Sequence, residues 1–439
     1  MPIIVQRQKT ETGGGRKARR IVRTAVLHTD LRADRGTESI EGDDPMTKDQ
    51  AFFIQILSDH IAGRQTEPQD GIEWKTVALL TQAHEVGGIV CCQCRDMIPA
   101  EYAKLFDKEY CTALFYYANR KKAMDTVSAA MRDAGLSYFS VKGLEIAKLY
   151  PVPSLRTMGD CDLVVPPDEF DHAIQTLRAL GFAGSGDTEV HEWSCIYKDM
   201  SFELHDILVK EQEYAEDEQA RFFNDFMPYV NDNSLDRNFH FLFLLMHLRK
   251  HFMGGGVGIR QFLDLAVVIR NMPDMDWGWI EEKLEKLKLA RFAHACFSLI
   301  GTWFGVSAPS QGETLDAAAC EEITERILGN GVFGFENADN RKNEARNSIL
   351  LNRGSTAKNR FVYLVSSLFP GYAKMKGYPG CGFLIGRRYL LPIAWIRRFA
   401  HIAKSKENKA RIDTVKNTFI DDSDLQQRKA VLRAMGLME

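Results

Sequence analysis

The spacing of apolar residues changes twice along the chain. From Met46 to about residue 135 it is helical: "MTKDQAFFIQILSDHI" places Phe52, Phe53, Ile56 and Leu57 together, and "WKTVALLTQAHEVG" and residues 102–133 continue the pattern. Between 136 and 210 the period shortens. "LSYFSV" predicts a strand, Lys142-Gly143 a tight turn, and "LEIAKLY" a short helix stopped by Pro151 and Pro153. "DCDLVV" predicts a second strand and "PDEFDHAIQTLRALG" a helix ended by Gly181. Residues 191–208, "HEWSCIYKDMSFELHDIL", predict a hairpin turning near Asp199 and Met200. After 210 helices return over 212–229, 236–252, 260–271, 275–288, 289–304 and 315–328, with further helical segments to the C-terminus. No internal repeat is present. The expected class is α+β: a small mixed-sheet core at 136–210, between helical regions at 46–135 and 211–439.

Residues 1–45 differ from the rest. "TGGGRKARRIVR" and "LRADRGTESIEGDDP" have little apolar periodicity, and their basic and apolar parts lack the order of a secretory signal. Disorder is expected there, and Met46 is a candidate for the true start of translation.

The totals narrow the class. A chain of 439 residues can build more than one core, and 45% hydrophobic with 26% charged residues is ordinary for a soluble globular protein. A formal net charge of −3 disfavours nucleic acid as a stable electrostatic partner. The nine cysteines form no disulfide framework, which points to a reducing, cytoplasmic compartment. Cys91, Cys92 and Cys94 lack a second pair of ligands and read as ordinary thiols. No membrane span is expected: "FLFLLM" (241–246) is too short, and the apolar run at 383–399 is interrupted by Arg387, Arg388 and Pro392. A peripheral membrane contact through that run is left open.

The chemistry concentrates in "RTMGDCDLVV" (156–165). On a strand, Asp160 and Asp162 leave the same face while Cys161 and Leu163 enter the packing. Carboxylates roughly 5–7 Å apart repel by about 2–3 kcal/mol at an effective dielectric near 20. A hard divalent cation, Mg2+ or Mn2+, turns that cost into attraction. Glu203 lies on the polar face of a later strand in "SFELHDI"; if the strands adjoin, three carboxylates converge. Upstream, Lys142, the Gly143 N–H and Arg156 are candidate phosphate ligands. No Gly-rich loop of the P-loop type is present.

"VKGLEIAKLYPVPSLRTMGDCDLVV" followed by "FELH" resembles the uncharacterised nucleotidyltransferase family of the polymerase-β-like superfamily. The matching positions are Lys142, Gly143, Tyr150, Pro151, Arg156, Gly159, Asp160, Asp162 and Leu163, then Glu203 and His205. "HLRKHF" and "GIRQFLDLA" look like the family's helical extension and bring in His247, His251, Arg260 and Asp264. The similarity extends from about Met46 to "LFPGYAKMKGYPG". The resemblance implies a nucleotidyltransferase-like, palm-like mixed sheet, a metal held by Asp160, Asp162 and Glu203, and transfer of a nucleoside monophosphate from an NTP to a hydroxyl acceptor with release of pyrophosphate. The acceptor is unknown. One departure stands out: better-characterised superfamily members carry Gly-Ser or Gly-Gly after the first strand, where this chain has Lys-Gly.

Blander readings stand beside this one. Lys142 and Arg156 can neutralise the aspartates as an ion cluster with no ligand at all. A catalytically silent nucleotide sensor or scaffold is an alternative from another class. His247 and His251, at i and i+4, suggest a metal-dependent hydrolase, although no His-Glu-x-x-His motif is present. Packing or cleft lining is the plainer role for both. His205 is expected to orient a neighbour rather than to ligate. Arg260 and Asp264, also i and i+4, suggest a helix ion pair.

Overall fold

Residues 46–184, 191–210, 216–254, 257–310, 312–330 and 423–438, with parts of 369–403, are described in the computed structural model. Residues 1–45, and the disorder expected of them, lie outside that description. Four helices open the fold: α1 (Lys48–Ala62), α2 (Trp74–His84), α3 (Gly87–Cys94) and the long α4 (Ala100–Asp133). α1 starts where it does because Thr47 and Gln50 cap each other's backbone N–H groups.

The sheet follows. Its parts are β1 (Phe139–Val141), α5 (Gly143–Ala147), β2 (Asp160–Val164), α6 (Phe170–Ala179), β3 (Ala183–Gly184), β4 (Glu192–Tyr197) and β5 (Met200–His205). The spatial order is β1-β2-β5-β4-β3; β2 and β5 run parallel and every other pair is antiparallel. The β4–β5 hairpin turns on Lys198 and Asp199, both at positive φ, which is the backbone a two-residue turn demands. β3 is an edge piece that periodicity did not predict. Gly184 fits there because a Cβ would meet the Ser194 carbonyl at 2.5 Å.

Helices then complete the chain: α7 (Asp217–Asn224), α8 (Arg237–Gly254), α9 (Ile259–Asn271), α10 (Trp277–Lys286), α11 (Ala290–Phe304), α12 (Ala317–Asn330), α13 (Leu391–Ala403) and α14 (Ser423–Ala434). The helix expected over 212–229 is shorter than its pattern. After α7 the chain makes a small hairpin, β6 (Val230–Asn231) and β7 (Ser234–Leu235), around Asp232 and Asn233 at positive φ. The architecture is α+β, a small mixed five-stranded sheet in a mostly helical chain.

Period-2 alternation gives the sheet two unlike faces. Cys161, Leu163, Trp193, Phe202 and Leu204 enter a core with Val127 and Met131 of α4 and Ile174 and Leu177 of α6. The opposite face carries Asp160, Asp162, Glu203 and His205. The helices before and after the sheet share the larger core: Phe52 and Phe53 of α1, Phe262 of α9 and Phe292 of α11 belong to one cluster.

One buried tie joins the approach to β2 to the helices. Arg156 donates from Nε to Asp264 Oδ1 at 2.8 Å and from a terminal nitrogen to Oδ2 at 2.7 Å. The Tyr150 hydroxyl donates to the same Oδ1 at 2.7 Å. Arg156 and Asp264 are both buried, so deleting one partner strands a charge in a dry site. Asp264→Ala is expected to lower unfolding stability by about 3–5 kcal/mol in urea titration. A loss below about 1 kcal/mol would show that the tie does not hold the fold.

Candidate functional site

The polar face of the sheet builds the site from adjacent strands. In the parallel β2–β5 pair, Asp162 lies opposite Glu203. In the β4–β5 hairpin, Glu192 lies opposite His205. Lys142 stands at the end of β1, in the turn to α5. Its ammonium is 2.9 Å from Asp162 Oδ1. His205 Nε2 is 3.5 Å from the same oxygen and 3.6 Å from Glu203 Oε2.

Lys142 reaches this position through an unusual backbone, φ 57° and ψ −130°, a region that L-residues occupy at a cost of about 1–3 kcal/mol. Its N–H donates to His240 Nε2 at 3.2 Å. Burial pulls the His240 imidazole down to about 4, so that nitrogen is bare and able to accept. A core histidine on α8 therefore holds the turn that aims the lysine.

Charges in the group are strongly coupled. Burial opposes ionisation of Asp162, but Lys142 and His205 outweigh it and hold the carboxyl well below the usual range. His205 behaves in the mirror sense. Burial disfavours its charge, yet the hydrogen bonds to Asp162 and Glu203 lift the imidazole to about 9. Asp160 is pushed up, first by burial and then by the negative charges of Asp162 and Glu203. The repulsion expected from the Asp-x-Asp spacing is thus present at Asp160.

Among the described residues, Asp162, Glu203 and His205 bring one ligand atom each within 4.8 Å of one another, a grouping able to hold a metal ion. Asp160 shares the face but stands outside that grouping, and His205 stands inside it, which exchanges their expected places.

Lys142, Lys210 and Lys250 line one pocket together with Asp162, Glu192, Glu203 and His205. Lys210 is paired with Glu192 at 2.9 Å. His247 of α8 lines the same pocket, is held neutral by burial, and has its Nε2 2.9 Å from that of His251. Neither of these two histidines belongs to the metal-holding grouping.

Two sequence-predicted roles change. Arg156 does not line the pocket; its Nε and one terminal nitrogen are taken by Asp264. Arg260 does not pair with Asp264 but with Glu85 at 2.9 Å and with the Thr157 hydroxyl at 2.8 Å, so it braces the loop before β2. Gly143 opens a helix of only five residues. Sequence reading missed Glu192, Lys210 and Lys250. The hairpin register makes the first of these findable, since a turn at 198–199 pairs 192 with 205.

A mixed sheet with Asp160, Asp162 and Glu203 on one polar face and lysines beside them defines a nucleotidyltransferase-like α+β protein. Residues 70–305 match the model of the family described as uncharacterised nucleotidyltransferase, and the chain belongs to that family. The match is shorter at both ends than the stretch over which the motifs suggested similarity. No curated protein and no solved structure matched the chain. Family membership supports nucleotidyl transfer as the general activity.

The charge coupling fixes a pH dependence for the metal-free protein. A free imidazole titrates near 6.5 and His205 near 9, so its stabilisation is complete below pH 6.5 and disappears as the pH rises through 9. Asp162 contributes in the opposite sense and loses its share only in acid. Melting temperature is expected to fall between pH 6.5 and 9.5, and to fall less steeply in His205→Gln. Identical slopes for the two proteins would show that the imidazole is not so held.

Proposed function

We propose that the protein transfers a nucleoside monophosphate from an NTP to a hydroxyl acceptor and releases pyrophosphate. The observation that carries this reading is the register of β2 and β5, which sets Asp162 beside Glu203 on the face that also bears Asp160. Asp162, Glu203 and His205, with Asp160 beside them, would hold Mg2+ or Mn2+; such an ion neutralises phosphate charge when bound.

This chain's own side chains account for the rest. Lys142, Lys210 and Lys250, which line the same pocket, bind and orient phosphate oxygens. Glu203 takes the proton from the acceptor hydroxyl. The hydroxyl oxygen bonds to the α-phosphorus, and the α–β phosphoanhydride bond breaks. Pyrophosphate leaves with the bonding electron pair. Work of this kind is positioning and electrostatics.

A second reading is favoured by one specific observation. Lys142 already neutralises Asp162 at 2.9 Å, as a ligand-free ion cluster or a silent nucleotide sensor would have it. In the transferase reading that ammonium leaves Asp162 for a phosphate oxygen. The measurement that separates them is pyrophosphate release from each of four NTPs labelled at the α-phosphate, with Mg2+ or Mn2+ and a cell extract as acceptor pool. Label appearing on an extract component supports the transferase. Metal-dependent NTP binding without release supports the sensor, and neither supports the ion cluster.

Asp160→Asn is the diagnostic variant. Asp160 is strained by its negative neighbours, so removing its charge is expected to leave the melting temperature unchanged or raised. Pyrophosphate release is expected to fall by roughly 10²–10³-fold. Near wild-type turnover in that variant would remove Asp160 from the machinery.

A further inference from the structure

Away from the pocket the chain segregates its charge. Between Ala345 and Lys406 there are twelve Lys and Arg and no Asp or Glu, in a protein whose net charge is −3. This stretch lies beyond the family match, which ends at residue 305. Its described part includes α13 and the turn Arg388–Leu390 that leads into it.

The inner side of α13 is satisfied by its own small core. Ala394 packs with Met375, Cys381 and Leu384, and Trp395 lies against that cluster. Trp395 Nε1 donates to the Pro370 carbonyl at 2.9 Å, and the Tyr372 hydroxyl donates to the Leu384 carbonyl at 2.9 Å. The outer side is apolar as well. Ile393 is 54% exposed, Ile396 69% and Tyr389 76%. The two isoleucines are three apart, so they share one helix face. Exposed arginines bracket them: Arg387 and Arg388 before, Arg397 after. Arg388 lies over the Tyr372 ring at 5.2 Å and Arg397 over the Phe383 ring at 6.0 Å.

We infer that residues 387–398 form a docking surface for an anionic lipid bilayer, with Tyr389, Ile393 and Ile396 entering the interface and the arginines engaging lipid headgroups. Each half of the arrangement needs the other. A basic patch alone binds a charged surface weakly and releases it in salt, and two exposed isoleucines alone are a small apolar area. Together they are the two signals that stable peripheral binding requires. Among the described residues no helix is long and apolar enough to cross a membrane, so the contact is interfacial. Nucleic acid shares the preference for arginine, but bare aliphatic side chains gain little from stacked bases or phosphates and much from lipid. The inference does not depend on the proposed transferase activity.

The test is flotation of the full-length protein with vesicles of phosphatidylcholine alone and of phosphatidylcholine containing roughly 30% phosphatidylglycerol. Binding is expected to be at least about tenfold stronger to the anionic vesicles. Ile393→Ser/Ile396→Ser is expected to reduce it by about tenfold or more, with an unchanged far-ultraviolet spectrum because both positions face outward. Arg387→Gln/Arg388→Gln/Arg397→Gln is expected to abolish the preference for anionic vesicles. Absence of flotation with either vesicle overturns the inference. So does full binding by the isoleucine variant, or release of the protein from vesicles by a mixed-sequence single-stranded oligonucleotide.

Discussion

A carboxylate buried in the middle of a sheet cannot be left alone, and Asp162 is 6% exposed between β1 and β5. Much of the local structure answers that constraint. Lys142 takes a strained backbone to deliver its ammonium, and His240 fixes the strain by accepting the lysine's N–H. His205 keeps an extra proton because two carboxylates surround it. Glu203 then adds negative charge next to the group that most needs positive charge. A sheet designed for stability alone would place a valine at 162 and gain burial without these costs. Such a costly cluster of acids is what a cationic ligand would offset.

The arginine of the Arg-x-x-Gly-Asp-x-Asp run shows how a motif position acts at one remove. Arg156 is held through Nε and one terminal nitrogen by Asp264, and Tyr150 donates to the same carboxylate. Those three residues span the approach to β2 and α9, so they set where β2 begins. Arg260, one turn before Asp264 on α9, reaches back to Glu85 and Thr157 and braces the same loop. α9 is thus a frame for the strand that carries the carboxylates. α8 is its counterpart on the pocket side, supplying His240 beneath the lysine turn and His247 and Lys250 along the wall.

What the sequence made legible follows from the range of each signal. Strand and helix periods are local, and β2, β4, β5 and α8 to α12 lie close to where alternation and helical spacing put them. The shared face of Asp160 and Asp162 is also local, a consequence of the period of 2. The pairing of Asp162 with Glu203 is not, because it depends on β2 and β5 running side by side in parallel, which only the resemblance suggested. Arg156 and Arg260 were misplaced for the same reason. Each takes a partner far away in the chain, and an i, i+4 relation on one helix said nothing about Asp264 turning inward to the arginine 108 positions earlier. The hairpin at 230–235 was lost to a different cause: the helical pattern ran over the Asp232-Asn233 turn.

Lys142 joins the two halves of the chemistry. Its ammonium, 2.9 Å from Asp162, helps to keep that buried carboxylate charged. On the proposed reading Asp162 and Glu203 would hold a divalent ion in place of the ammonium, and Lys142 would turn to a phosphate oxygen. On that reading, Lys-Gly where the resemblance would have Gly-Ser would change how phosphate is handled. A lysine, unlike a serine, carries a full positive charge, and here that charge already matches Asp162.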